Sequence, residues 1–191
     1  MTSGGLAMST HLISLKNLYI DELNGLYDCE TQLLKALPRL TQRASSLGLR
    51  KAFTQHLEET KTHLERLDQL FDDMGGRPKV RKCKGIRAIL EEEEDIIKAE
   101  PRRELLDAAI IGATQRIEHY EIAGYGCVRT YARLLGDNDG AELLQLTLDE
   151  EATMDKTLTE LAKQVNVQAF EVNVSEITTL TPARRRRAGR A

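Results

Sequence analysis

The chain has no tryptophan, few aromatic residues of any kind (4%), four prolines among 191 residues and no apolar run long enough for a bilayer. A membrane-spanning helix needs roughly 18 or more consecutive apolar residues, so the sequence offers no such span. Scarce proline and aromatics beside abundant Leu, Ala, Glu, Lys and Arg exclude a β-rich domain and point to helices. Three cysteines, Cys29, Cys83 and Cys127, are too few and too irregularly spaced for a disulfide framework or a zinc site. They are expected to be free thiols with a structural or incidental role. Residues 1–10 are small and polar and lack a signal peptide's charged and apolar regions, which favours a flexible N-terminus and a cytoplasmic setting.

Charge is unevenly distributed. Removing the five arginines at positions 184–187 and 190 takes the formal net charge from -3 to -8. The body of the chain is therefore unsuited to nucleic acid, whereas an arginine-rich tail suits an anionic partner.

Apolar residues recur at alternating intervals of three and four, the helical period. Five segments follow: 11–47 with Pro38 expected to kink it, Leu49–Met74, a short Ile86–Ala99, Pro101–Leu135, and Ala141–Val165. Gly48 and Gly75-Gly76-Arg77-Pro78 are expected stops, and Gly136 to Gly140 an acidic turn. The Glu91–Glu94 run reads as a solvated face. Two hairpins joined by a long crossover imply an all-α, ferritin-like four-helix bundle whose crossover carries a short extra helix. The bundle is assigned to residues 11–169 and a disordered arginine-rich tail to 170–191.

Carboxylates interrupt the apolar stripes. Glu30, Glu121, Glu151 and Asp155 occupy positions where leucines belong, and a buried carboxylate costs several kcal/mol unless it is paired. Glu59 and Glu118 lie at stripe margins, and His63 lies within or beside its stripe. Spacings repeat between hairpins: 29 residues from Glu30 to Glu59 and 30 from Glu121 to Glu151. Glu59–His63 and Glu151–Asp155 are both one helical turn apart, so each pair can reach one ion. Glu118-x-x-Glu121 either bridges two ions or faces solvent. The candidate metal set is thus Glu30, Glu59, His63, Glu118, Glu121, Glu151 and Asp155. His56 is assigned instead to a helix edge or a supporting role, and His11 and His119 to neither. Tyr27 and Tyr125, one turn from Glu30 and Glu121, either donate to ligating carboxylates or pack as aromatics.

Leu18-Tyr-Ile-Asp-Glu-Leu, Tyr27-Asp-Cys-Glu-Thr-Gln-Leu, His56-Leu-Glu-Glu-Thr, Arg116-Ile-Glu-His-Tyr-Glu-Ile-Ala and Leu148-Asp-Glu-Glu together resemble the YciE/YciF family over about residues 12–169. The resemblance implies a bacterial, ferritin-like stress protein, a homodimer with a di-metal site. Glu118-x-x-Glu121 is also similar to a rubrerythrin motif. Glu151-x-x-x-Asp155 has Asp where rubrerythrins have His, and Glu59-x-x-x-His63 is one residue longer than their Glu-x-x-His. A carboxylate-rich site with imidazole and no thiolate suits two iron or manganese ions. The expected function is oxidation of Fe(II) or reduction of peroxide, with metal ions and oxygen or peroxide as partners. The alternative is a non-enzymatic dimeric module whose basic tail binds nucleic acid or another anion in a salt-dependent way.

Overall fold

The computed structural model describes the backbone of residues 13–180 and side chains through residue 171. The expected flexible N-terminus and the arginines at 184–187 and 190 lie outside the described residues. Five helices follow in order: α1 (Leu15–Arg43), α2 (Leu47–Asp73), α3 (Lys84–Lys98), α4 (Arg103–Leu134) and α5 (Asn138–Leu180). α1 packs on α2 and α4 on α5, while α1 also meets α4 and α2 meets α5. The four long helices thus close a ring, and α3 lies on α4 and touches α1.

Local chemistry fixes the helix ends. Ser14 caps α1 by accepting from the Asn17 amide, and Ser46 caps α2 by accepting from the Leu49 amide. The first helix therefore stops at Arg43, and Gly48 opens α2 rather than closing α1. Pro38 is carried inside α1 without interrupting it. Gly75 ends α2 at a φ of 71°, a left-handed conformation that suits glycine, and the Gly76 amide donates to the Phe71 carbonyl. Between α4 and α5, Gly136 takes a φ of 83° and the Asp137 carboxylate accepts from the Gly140 amide. That turn is as expected. The last helix is not: it continues from Val165 to Leu180, so the boundary placed at residue 170 falls inside α5. Glu93 also departs from expectation. It is buried on α3 rather than solvated, and burial pushes its carboxyl up to about 7 despite the charges of Arg39 and Arg116.

The core divides into two apolar clusters. One contains Leu33, Leu37, Leu49, Phe53, Ile86, Ile110, Ile117, Met154 and Leu158. The other contains Tyr19, Leu23, Leu26, Leu67, Phe71, Tyr125, Val128 and Leu144. Each fully buried large side chain contributes roughly 1.5–3 kcal/mol. On every long helix the residues between the clusters are polar and buried: Glu30 on α1, His56, Thr60 and His63 on α2, Glu118 and Glu121 on α4, and Thr147 and Glu151 on α5. No described helix is long and apolar enough to cross a membrane.

Asp107 locks the far end of this arrangement. Its buried carboxylate accepts from the Ser45 amide (2.8 Å), the Ser45 hydroxyl (2.6 Å) and the Ser46 amide (2.8 Å), tying α4 to the α1–α2 loop. Hydrogen bonds to a charged group are worth about 1.5–3 kcal/mol, and their loss strands two amides. Asp107→Ala is therefore expected to lower unfolding free energy by about 2–4 kcal/mol in a urea titration; an unchanged midpoint would contradict this role.

Candidate metal centre

The polar layer converges on a common point. Glu30, His63 and Glu151 present ligand atoms all within 4.8 Å of one another, and so do His56, Glu118 and Glu151. Glu151 belongs to both groups. His63 Nδ1 lies 3.3 Å from Glu30 Oε1 and 3.1 Å from Glu151 Oε1. Two donors about 2.1 Å from one cation, at right angles, are about 3 Å apart. His56 Nε2 lies 3.5 Å from Glu118 and 3.7 Å from Glu151. The two imidazoles stand edge to face, with centroids 6.3 Å apart.

Whether a cation fits is answered by the unpaired atoms. Glu30 Oε2, His56 Nε2, His63 Nδ1 and both carboxylate oxygens of Glu118, Glu121 and Glu151 are buried without a hydrogen-bond partner. Buried polar groups are otherwise almost always paired, because each orphan carries its desolvation cost uncompensated. Thus the donor set fits cations bound by carboxylate and imidazole.

Each histidine is held from behind. His63 Nε2 meets Glu150 at 2.9 Å, and Glu150 receives a two-pronged bond from Arg66 at 2.5 and 2.9 Å. With its proton on Nε2, His63 offers the Nδ1 lone pair to the centre. His56 Nδ1 meets Glu59 at 3.3 Å, leaving Nε2 facing inward. Tyr125 donates to Glu30 Oε1 at 2.5 Å, so of the two expectations for that tyrosine the donor role is the one the structure shows. Tyr27 packs edge-on against Phe71.

Of the seven residues picked from the sequence, the structure brings five together: Glu30, His63, Glu118, Glu121 and Glu151, all fully buried. Glu121 belongs to neither triad, yet its nearest charged neighbours are Glu30, Glu151 and Glu118. Glu59 is a quarter exposed and turned to His56. Asp155 also lies outside the triads, accepting from Gln115 at 3.1 Å with His119 at 3.3 Å. His56, assigned from sequence to a helix edge, is 1% exposed and completes the second triad. The Arg66–Glu150 pair was not legible either, although Arg66 follows His63 by three residues and Glu150 adjoins Glu151.

Without a cation the layer is electrostatically tense. Burial, and then the neighbouring carboxylates, push Glu118 and Glu121 well above the usual range. Burial also raises Glu30, against the charge of His63. For Glu151, burial pushes up, but the close imidazoles of His63 and His56 outweigh it and hold it low. His63 is pushed up to about 12 because Glu30, Glu150 and Glu151 outweigh its burial.

Comparison with known proteins accords with this geometry. The domain of unknown function DUF892 matches residues 14–171. The chain is 39% identical to protein YciF of Escherichia coli over 158 residues, which is 82% of this chain and 95% of YciF. The chain belongs to the YciF family. The crystal structure of the E. coli stress protein YciF superposes with a TM-score of 0.78 at 38% identity, covering 81% of this chain and 98% of that one. YcfI from Rhodopseudomonas palustris gives 0.77 at 34% identity, covering 79% and 96%. A two-domain Anabaena variabilis protein with a ferritin-like domain matches at 13% identity and a TM-score of 0.58, covering 93% of this chain and 42% of that one. The fold is accordingly ferritin-like.

Two tests follow. Glu150→Gln removes the charge that holds His63 and is expected to weaken metal binding about 10–100-fold in a chelator competition; unchanged affinity would show that His63 needs no such support. The second concerns pH. A carboxyl whose folded pKa is raised binds more protons folded than unfolded, so its contribution to stability falls as pH rises above the unfolded value near 4.5. Glu118→Gln should therefore stabilise the metal-free protein by an amount that grows between about pH 5 and pH 8, read from thermal midpoints. An effect that is flat with pH would mean that Glu118 is not under this strain.

Proposed function

We propose that the chain is a di-metal protein, holding two iron or manganese ions and oxidising Fe(II) or reducing peroxide as part of a bacterial stress response. The observation that carries this reading is the set of nine buried carboxylate and imidazole atoms without a hydrogen-bond partner, on six side chains in one layer. Oxygen-rich ligation with two imidazoles and no thiolate favours iron or manganese over zinc or copper. Its relative YciF is a stress protein of E. coli, which supports the biological setting.

Glu30 and His63 would hold one ion, His56 and Glu118 the other, and Glu151 both. Glu121 stands ready as a further carboxylate. When bound, such ions supply one-electron redox chemistry toward Fe(II), oxygen or peroxide. The chain's own residues do the rest. Apolar clusters on either side exclude bulk water and so strengthen every charge interaction between them. Arg66–Glu150 and Glu59 fix the two imidazoles, while the Tyr125 hydroxyl steadies Glu30. Glu118 and Glu121, which hold protons when uncompensated, release them as cations enter, so uptake is expected to be pH-dependent.

Metal content by mass spectrometry, after anaerobic loading with Fe(II) or Mn(II) and desalting, is the test. About two ions per chain are expected, and Glu151→Ala should lose both because both triads share that residue. Wild-type protein that retains no metal, or a variant that still binds two ions, would overturn the reading.

A further inference from the structure

Beside Glu30 in the chain begins a second cluster that the proposed function does not use. Cys29 is buried on α1, and its Sγ lies in direct contact with Cys83 Sγ, at 2.7 Å. Cys83 stands at the N-terminal boundary of α3, and the Tyr120 hydroxyl lies 3.4 Å from its sulfur. Both cysteines are free thiols. Their contact is held in register by the crossover. The Cys83 amide donates to Asp28 (2.7 Å), its carbonyl accepts from Gln32 (3.0 Å), and upstream the Lys79 amide donates to Asn24 (2.5 Å). Arg81 meets Asp21 at 3.0 Å. Acceptors and donors of α1 thus bind the crossover along its length, and the two thiols face each other across that seam.

The seam is not sealed. A groove of about 290 Å³ between α1 and α4 is lined by Cys29 and Tyr120, the two side chains in contact with Cys83, together with Arg81 and the exposed Cys127. A small oxidant in this groove therefore reaches Cys29 and Tyr120, the two neighbours of the Cys83 sulfur.

We propose that Cys29 and Cys83 form a peroxide-reactive dithiol site, a two-electron redox centre distinct from the metal layer. Cys83 is the attacking sulfur. As a thiolate it forms an S–O bond with one peroxide oxygen while the O–O bond breaks, and the other oxygen leaves as hydroxide and takes up a proton to become water. Cys29 then gives up its thiol proton and attacks the Cys83 sulfenic acid; the S–S bond forms, the S–O bond breaks and a second water leaves. Overall, two thiols are oxidised by two electrons and one peroxide becomes two waters, or an alcohol and water from an organic hydroperoxide. A small-molecule thiol restores the dithiol by exchange. The assignment of roles follows from position. Cys83 sits at a helix start, where the Gly85 and Ile86 amides favour an anion, with the Cys29 thiol and Tyr120 hydroxyl as further donors. The contact with Cys29, and then the Tyr120 hydroxyl and these amides, hold the Cys83 thiol below its usual range against its burial.

The test uses the full chain, reduced, treated with stoichiometric hydrogen peroxide with and without a strong chelator, then peptide-mapped without reduction. The expected result is a Cys29–Cys83 crosslinked peptide, lighter by two hydrogens, formed equally with and without chelator. Cys127→Ser should leave that crosslink unchanged. Cys29→Ser should trap sulfenic acid on Cys83, captured by dimedone. In the presence of excess thiol and chelator, Cys83→Ser should reduce peroxide consumption to that of a Cys29→Ser/Cys83→Ser double variant, which keeps only the exposed Cys127. Oxidation confined to Cys127, or absence of the crosslink in the wild-type chain, would overturn the proposal. So would a crosslink that forms only without chelator, since the oxidation would then belong to the metal. Because the readout is taken with metal removed, its failure is separable from failure of the metal reading.

Discussion

Four carboxylates and two imidazoles share one water-excluded layer, and much of the chain can be understood as a response to that constraint. Taking an ion out of water costs several kcal/mol even after the protein relaxes. Here Glu30, Glu118, Glu121 and Glu151 are all fully buried, with most of their oxygens unpaired. Such a layer cannot sit inside a continuous apolar core, so the core is split into a cluster on each side. The helices on either side must also be long enough to bury apolar surface twice. Only α3, which contributes nothing to the layer, is short, at 15 residues.

The same constraint explains why α1 is fastened on its outer face. Glu30 is the only group that α1 contributes to the layer, and its register must be held against the repulsion of three other carboxylates. Asn24, Asp28 and Gln32, spaced four residues apart, bond the crossover backbone, while Glu30 faces inward between the last two. The crossover is therefore more than a connection between hairpins. It fixes the rotation of α1, and in doing so brings the start of α3 against Cys29.

Periodicity in the sequence carried the helix order, the crossover and the buried status of Glu30, Glu121 and Glu151. It carried the ligand geometry less well, for a reason visible in α2. Leucines draw a stripe through Leu49, Phe53, Leu57, Thr60 and Leu64. The face that is buried runs through Leu49, Phe53, His56, Thr60, His63, Leu67 and Leu70, with Leu57 and Leu64 only half-buried. Hydrophobicity alone rotates the helix by about one residue and pushes His56 to the edge. α5 repeats the effect: Leu148 and Asp155 lie on the apolar reading, whereas Thr147 and Met154 are what the bundle buries. A functional layer substitutes polar residues for apolar ones on the very face that periodicity is meant to find. The far end of α5 escaped for a different reason, since residues beyond Val165 form helix without a strong apolar repeat.

Matched spacings in the two hairpins suggested two equivalent halves, and the geometry argues against equivalence. α2 supplies both imidazoles, seven residues apart, while α5 supplies the single carboxylate common to both triads. The supports differ too. His56 is steadied within its own helix by Glu59, one turn away, whereas His63 is steadied across the bundle by Glu150 and Arg66. On the His63 side, Tyr125 already satisfies one oxygen of Glu30. On the His56 side, neither oxygen of Glu118 has a hydrogen-bond partner. A cation beside His63 thus meets a carboxylate partly neutralised by a hydrogen bond in a rigid, cross-braced setting. One beside His56 meets a fully available carboxylate on a helix-local support. Under the proposed di-metal reading, two positions built from one shared carboxylate and unlike surroundings would differ in charge and in stiffness, and would fill at unlike concentrations.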